Sequence, residues 1–111
     1  MIARYEKLFK ALGDKSRLRI LKMLELRPMC VCEIRYILKL SQPTVSGHLK
    51  VLKEAGLVED KKNGLWVTYR IKKDRLNNGV LNFLKNLDKD NEVRKDLKLV
   101  ESISREMVSR L

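Results

Sequence analysis

Apolar residues recur at helical spacing in five stretches of this chain, and one short stretch alternates with period two. The first pattern predicts a helix over about Ile2–Leu12, with Tyr5, Leu8, Phe9 and Leu12 on one face. Gly13 ends it, and Asp14 is placed to cap a second helix near Lys15–Leu26, whose apolar positions are Leu18, Ile20, Leu21 and Leu24. Pro28 closes that helix. A third begins around Cys30 and directs Ile34, Ile37 and Leu38 to the core.

After a polar break at Leu40-Ser41-Gln42, Ser41 is a good N-cap and Pro43 falls in the first turn, where a missing N–H costs nothing. In the fourth helix Val45, Leu49, Leu52 and Ala55 form the buried stripe, and Gly56 stops it. Two helices joined by so short a turn have the size of a helix-turn-helix. Leu57–Lys62 and Leu65–Ile71 then flank Asn63-Gly64, a strong hairpin signal. Alternation of Leu65, Val67, Tyr69 and Ile71 with Trp66, Thr68 and Arg70 gives the second strand one apolar face. The predicted fold is therefore mainly α with a small β-hairpin, a winged helix-turn-helix.

Leu76, Val80, Phe83, Leu84 and Leu87 line a fifth helix. Residues 88–111 carry Val93, Leu97, Val100, Met107 and Leu111 near heptad spacing, interrupted by Ser104. Such an amphipathic extension is expected to pack on a twin subunit, with its own domain as the alternative surface.

Charge separates the chain into the same two parts. The formal net charge is +11 on 111 residues. Residues 1–87 hold 19 basic and 8 acidic side chains, and residues 88–111 hold 6 of each. The excess thus lies on residues 1–87, read as the winged-helix domain with its dimerisation helices, and points to a polyanion such as double-stranded DNA. No apolar run approaches the roughly 20 residues of a membrane span. Charged residues interleaved through Met1–Lys10 do not make a signal peptide, so a soluble cytoplasmic protein is expected. In that compartment two cysteines are thiols or metal ligands rather than a disulfide.

On a regular helix, at about 100° per residue, Leu49 and Leu52 share the face of Val45, while Pro43, Gly47, Lys50 and Glu54 point away. Gln42, Thr44 and Ser46 sit where a recognition helix reads base edges, and Gly47 removes a side chain where backbone and duplex approach. Lys50 and Lys53 suit phosphates, and Lys61, Lys62 and Asn63 form a basic wing tip. Each of these is also an ordinary solvated residue if no duplex is bound. His48 lies closer to the buried face and is read as a packing or capping residue.

Asp14-Lys15-Ser16-Arg17, the run from Ser41 through Leu52, Ala55-Gly56-Leu57-Val58 and Gly64 through Arg70 closely resemble the ArsR/SmtB family in order and spacing, over about residues 3–72. The resemblance implies a homodimeric repressor that leaves its operator on binding a metal or metalloid, with a dimer built from the first helix and the helix after the wing. Met29-Cys30-Val31-Cys32-Glu33-Ile34 resembles the metal-binding box of the arsenite-responsive members, whose Cys-x-Cys is often followed by a further Cys three residues on. Arg35 holds that position here, and the chain has no other cysteine.

On a regular helix, side chains two residues apart point about 200° apart, so Cys30 and Cys32 share an ion only if Cys30 lies in an unwound first turn. Thiolates select thiophilic ions, and a helix N-terminus or Arg35 is expected to lower a thiol pKa. By that resemblance the leading inducers are As(III) and Sb(III), with a third ligand from solvent, a small thiol or the other subunit. Zinc prefers four N/S ligands, and the one His lies in the recognition helix. The family's alternative site on the helix after the wing also fails, because residues 73–87 hold no His and only Asp74. Two other readings of the cysteines stay open, a thiol-oxidation switch and small core hydrophobes.

A protein-interaction or metal-buffering module without DNA binding is the reading from another class, and the positive charge argues against it. Enzymatic activity is not expected: the His has no positioned nucleophile beside it, and no phosphate-binding glycine loop or carboxylate pair stands out.

Overall fold

The computed structural model describes residues 1–111. Its order is α1 (Ile2–Leu12), α2 (Lys15–Leu26), β1 (Met29–Cys30), α3 (Val31–Leu38), α4 (Gln42–Glu54), β2 (Val58–Asn63), β3 (Trp66–Ile71) and α5 (Arg75–Phe83). A 3-10 turn (Leu84–Lys89), α6 (Asn91–Ser102) and α7 (Arg105–Ser109) complete it. Side-chain caps set the starts: the Asp14 carboxylate accepts from Arg17 N–H at 3.0 Å, and Ser41 Oγ accepts from Thr44 N–H at 3.3 Å. Ile20, Leu21, Met23, Ile34, Leu49 and Leu52 are fully buried where α2, α3 and α4 meet. That core fixes α4 with its opposite face in solvent.

The three strands run antiparallel in the order β1-β3-β2. Strand β1 is an addition to the expected hairpin: Met29 and Cys30 pair with Tyr69 and Thr68. The hairpin itself turns one residue later than expected. Asn63 and Trp66 are its last pair, and Gly64-Leu65 form the loop. Gly64 takes φ +65°, which a tight hairpin loop demands at its first position and glycine adopts freely. Leu65 consequently stands at the tip, 97% exposed, and Val67 is exposed as well, so only Tyr69 and Ile71 of the expected apolar face turn inward. The outer half of the wing simply projects beyond the core.

The tail packs on its own domain, the alternative surface, through Val93 and Val100, whereas Met107 and Leu111 stay exposed. Val93 and Val100 of α6 are buried, and Arg19 of α2 grips Asp96 with two hydrogen bonds of 2.8 and 2.9 Å. Lys22, itself buried, bridges Glu25 and Asp88 at 2.7 Å each. Arg19–Asp96 and Lys22–Asp88 join residues dozens of positions apart, and they hold α6 and the 3-10 turn before it to α2. Ser104 does interrupt the helix: it caps α7 by accepting from Met107 N–H at 3.2 Å.

Candidate functional site

The exposed face of α4 begins at its N-terminus. Gln42, Thr44, Ser46, Gly47 and Lys50 are all exposed. Thr44 and Ser41 hydroxyls lie 2.8 Å apart, which orients Thr44 at the helix start. A Cβ built on Gly47 would meet nothing within 4 Å, so the glycine keeps the helix surface low in open space. Lys53 differs from the others: its Nζ is 2.9 Å from Asp60 Oδ1, an ion pair that holds the end of α4 to the wing and raises the lysine pKa. Lys61, Lys62 and Asn63 are exposed along β2. His48 faces away from this surface, with Nδ1 3.2 Å from Arg17 Nη1 and 4.0 Å from Asp14 Oδ1. Arg17 also donates to Ala11 O at 2.8 Å, so these side chains tie α4 to the α1–α2 corner.

Cys30 is the N-cap of α3, in extended backbone at φ −89° and ψ 166°, whereas Cys32 lies in the first helical turn. Cys30 therefore escapes the helical geometry that would separate the two side chains, and Cys32 is among the neighbours that act on its thiol. Burial chiefly, then Cys32 and the Glu33 carboxylate, push the Cys30 thiol up to about 12. For Cys30 the expected lowering by the helix end and Arg35 is overturned. Arg35 projects into solvent, and burial with a nearby carboxylate outweighs the helix amides.

Glu33 completes the local architecture. Its Oε1 accepts from Cys30 N–H at 3.0 Å and its Oε2 from Arg27 Nη2 at 2.7 Å, while Glu33 N–H faces the Cys30 sulfur. Sequence reasoning missed Arg27 and Glu33. The Glu three residues after the cap is the capping-box spacing, with Cys in the position usually held by Ser or Thr, and it was the available signal. No cluster of three or more His, Cys, Asp or Glu side chains is arranged to hold a metal ion, so the thiols are two potential ligands without a third from those types.

A separate groove of about 770 Å³ runs between α1 and α5, lined by Tyr5, Leu8, Phe9, Leu76, Val80 and Phe83. Phe9 is 67% exposed and Phe83 82%, a large apolar surface for a small domain.

Comparison with known proteins agrees with this architecture. The family described as bacterial regulatory protein, arsR family, matches residues 14–60. An HTH-type transcriptional regulator of Methanocaldococcus jannaschii is 52% identical over 77 residues, which span 66% of this chain and 86% of that protein. The arsenical resistance operon repressor of Escherichia coli is 49% identical over 65 residues, 58% of this chain but only 56% of the repressor. Among solved structures, HlyU from Vibrio cholerae superposes with TM-score 0.66 at 31% identity, covering 78% of this chain and 90% of HlyU. A homodimeric winged helix-turn-helix DNA-binding domain from Mycobacterium bovis gives 0.68 at 26% identity, covering 78% and 82%. With its winged helix and this degree of likeness to a regulator that it nearly spans, the chain belongs to the arsR family of bacterial regulatory proteins.

Proposed function

We propose that the protein is a homodimeric, cytoplasmic transcriptional repressor that binds double-stranded operator DNA and releases it when As(III) or Sb(III) bridges Cys30 and Cys32. In this reading residues 1–87 read DNA and dimerise, and residues 88–111 are an extension of that unit. The observation that carries it is the position of Cys30 outside the regular helix, beside Cys32. The arsenical resistance repressors among its relatives support the choice of inducer.

Gln42, Thr44, Ser46 and Gly47 enter the major groove, Lys50 and Lys53 take phosphates, and Lys61, Lys62 and Asn63 bring the wing to the backbone. Lys53 does so while sharing its charge with Asp60. The α1–α5 groove, with Phe9 and Phe83, is the dimer face.

The capture step balances without oxidation. Arsenous acid, As(OH)3, exchanges two hydroxyls for the Cys30 and Cys32 sulfurs, forming two As–S bonds, and each thiol proton leaves with a hydroxyl as water. The remaining hydroxyl is the third ligand, and a thiol raised to about 12 still reacts because its proton goes to the departing hydroxyl. Contraction onto the ion pulls Cys30 out of its cap, and with it the start of the helix that supports α4. Mostly bound to mostly free requires a differential affinity of several kcal/mol.

Direct binding tests the site. Arsenite added to the reduced protein is expected to bind one per chain and to consume both thiols. Cys30→Ser and Cys32→Ser are expected to lose stable binding, and either variant retaining it at the native affinity refutes the two-thiol assignment.

A further inference from the structure

The corner where α6 ends and α7 begins lies over the thiol site. Arg27, between α2 and β1, aims Nη2 at Glu33 Oε2 (2.7 Å), Val100 O (3.0 Å) and Ile103 O (3.1 Å). Glu33 in turn holds Cys30 N–H. One guanidinium thus ties the last carbonyls of α6 to the carboxylate that caps α3 at Cys30. Beyond the corner, Val108 is buried in the common core, and Arg105 lies 5.0 Å from the centroid of the Trp66 ring on the wing. An open pocket of about 270 Å³ remains, lined by Cys30, Glu33 and Thr68 together with Ile103, Ser104 and Arg105.

Cys30 is only 4% exposed, so its path to solvent passes a pocket lined partly by this corner. The attachment rests on few side chains, Ile103 and Val108 in the common core and Arg105 on Trp66. Helix α7 has five residues, too few to persist alone, and its Arg105–Trp66 contact is partly exposed. Segments of this kind open at far lower cost than the core.

We propose that residues 103–109 form a strap that gates access to Cys30 and links the occupancy of the thiol site to the wing. The strap lifts to admit a small thiol-reactive species into the pocket, and in lifting it takes Arg105 off Trp66. Trp66 pairs with Asn63 beside the lysines of the wing, so an open strap leaves the wing less firmly held. The inference rests on the reading of Cys30 and Cys32 as sensor thiols. It adds a gate that this reading does not require.

The test uses the full-length protein with Cys32→Ser, leaving Cys30 as the single thiol, without DNA or metalloid. Labelling of Cys30 by a neutral pyridyl disulfide is timed at one pH, and hydrogen exchange is followed in parallel. Arg105→Ala is expected to speed labelling about 3-fold and Val108→Ala about 10-fold, the open population setting the rate. Loss of protection is expected only around residues 103–110. An unchanged labelling rate in Arg105→Ala overturns the strap, whether or not Val108→Ala folds. Acceleration with loss of protection throughout α2 and α4 also overturns it, because Cys30 is then reached by global unfolding. Arsenite release of DNA is measured separately. Faster labelling without such release refutes the metalloid reading and keeps the gate, whereas release with unchanged labelling does the reverse.

Discussion

Cys30 stands opposite Thr68 in the antiparallel register of β1 with β3, so the candidate sensor thiol belongs to the sheet of the wing while it caps α3. A displacement at that residue reaches both arms of the DNA-binding unit at once. Through α3 it moves the support of α4, and through Thr68 it moves the strand that carries the wing. In the proposed mechanism this double attachment is what would give two adjacent thiols leverage over DNA affinity.

The carboxylate beneath Cys30 is expected to matter for both fold and thiol chemistry. Glu33→Gln removes one partner of a largely buried ion pair and is expected to destabilise the protein by about 2 kcal/mol in denaturant unfolding. It also removes a negative charge that raises the Cys30 pKa, so thiolate absorbance in a pH titration is expected to appear at lower pH.

Stability at alkaline pH carries a signature of the same thiol. The folded pKa is raised from an ordinary 9.0 to about 12, so an unfolded chain loses the proton first as pH climbs. The stabilising contribution is complete below about pH 9 and is lost progressively between there and about pH 12. Unfolding curves for the native protein and Cys30→Ser are expected to run in parallel up to pH 9 and to converge above it. Parallel curves throughout would show that Cys30 ionises normally.

Two apolar side chains should decide the oligomeric state. Phe9 and Phe83 sit exposed on the α1–α5 groove, and Phe83→Asp places a charge in the proposed interface. Sedimentation is expected to give a dimer for the native chain and a monomer for Phe83→Asp at the same micromolar concentration. A dimeric Phe83→Asp would move the interface elsewhere.

On DNA, positioning and reading separate by salt. Lys61→Ala with Lys62→Ala is expected to weaken binding to all duplexes and to reduce the salt slope by about 0.9 for each lost phosphate contact. Gln42→Ala is expected to leave the slope unchanged and to cost about 1–3 kcal/mol of discrimination against altered operators. Fluorescence anisotropy across a salt series distinguishes the two.

Much of this arrangement could be read from residue order. Asp14 and Ser41 mark helix starts by short-range hydrogen bonds, and the stripe of Val45, Leu49 and Leu52 fixed which face of α4 looks outward. The wing was readable as a hairpin, though not its register, because either Asn63 or Gly64 can lead a tight turn and only the pairing of Asn63 with Trp66 decides. Strand β1 is two residues long and has no period to detect. The seat of the tail was hidden for another reason. Asp96 looks like a solvated helix charge until Arg19, 77 residues earlier, is brought against it. Cys30 stood between two outcomes: helix-end amides favour thiolate and burial opposes it, and the balance depends on β3 and the tail, which local sequence does not reveal.

The most direct measurement is an arsenite titration of the preformed complex between the reduced protein and its operator, followed by anisotropy at fixed salt. The native protein is expected to release the duplex as about one arsenite per chain binds. Cys30→Ser and Cys32→Ser are expected to bind the duplex with near-native affinity and to keep it at the same arsenite concentration. Release from either serine variant at the native midpoint, or retention of DNA by the fully arsenite-loaded native protein, would contradict the claim that these two thiols govern the hold on DNA.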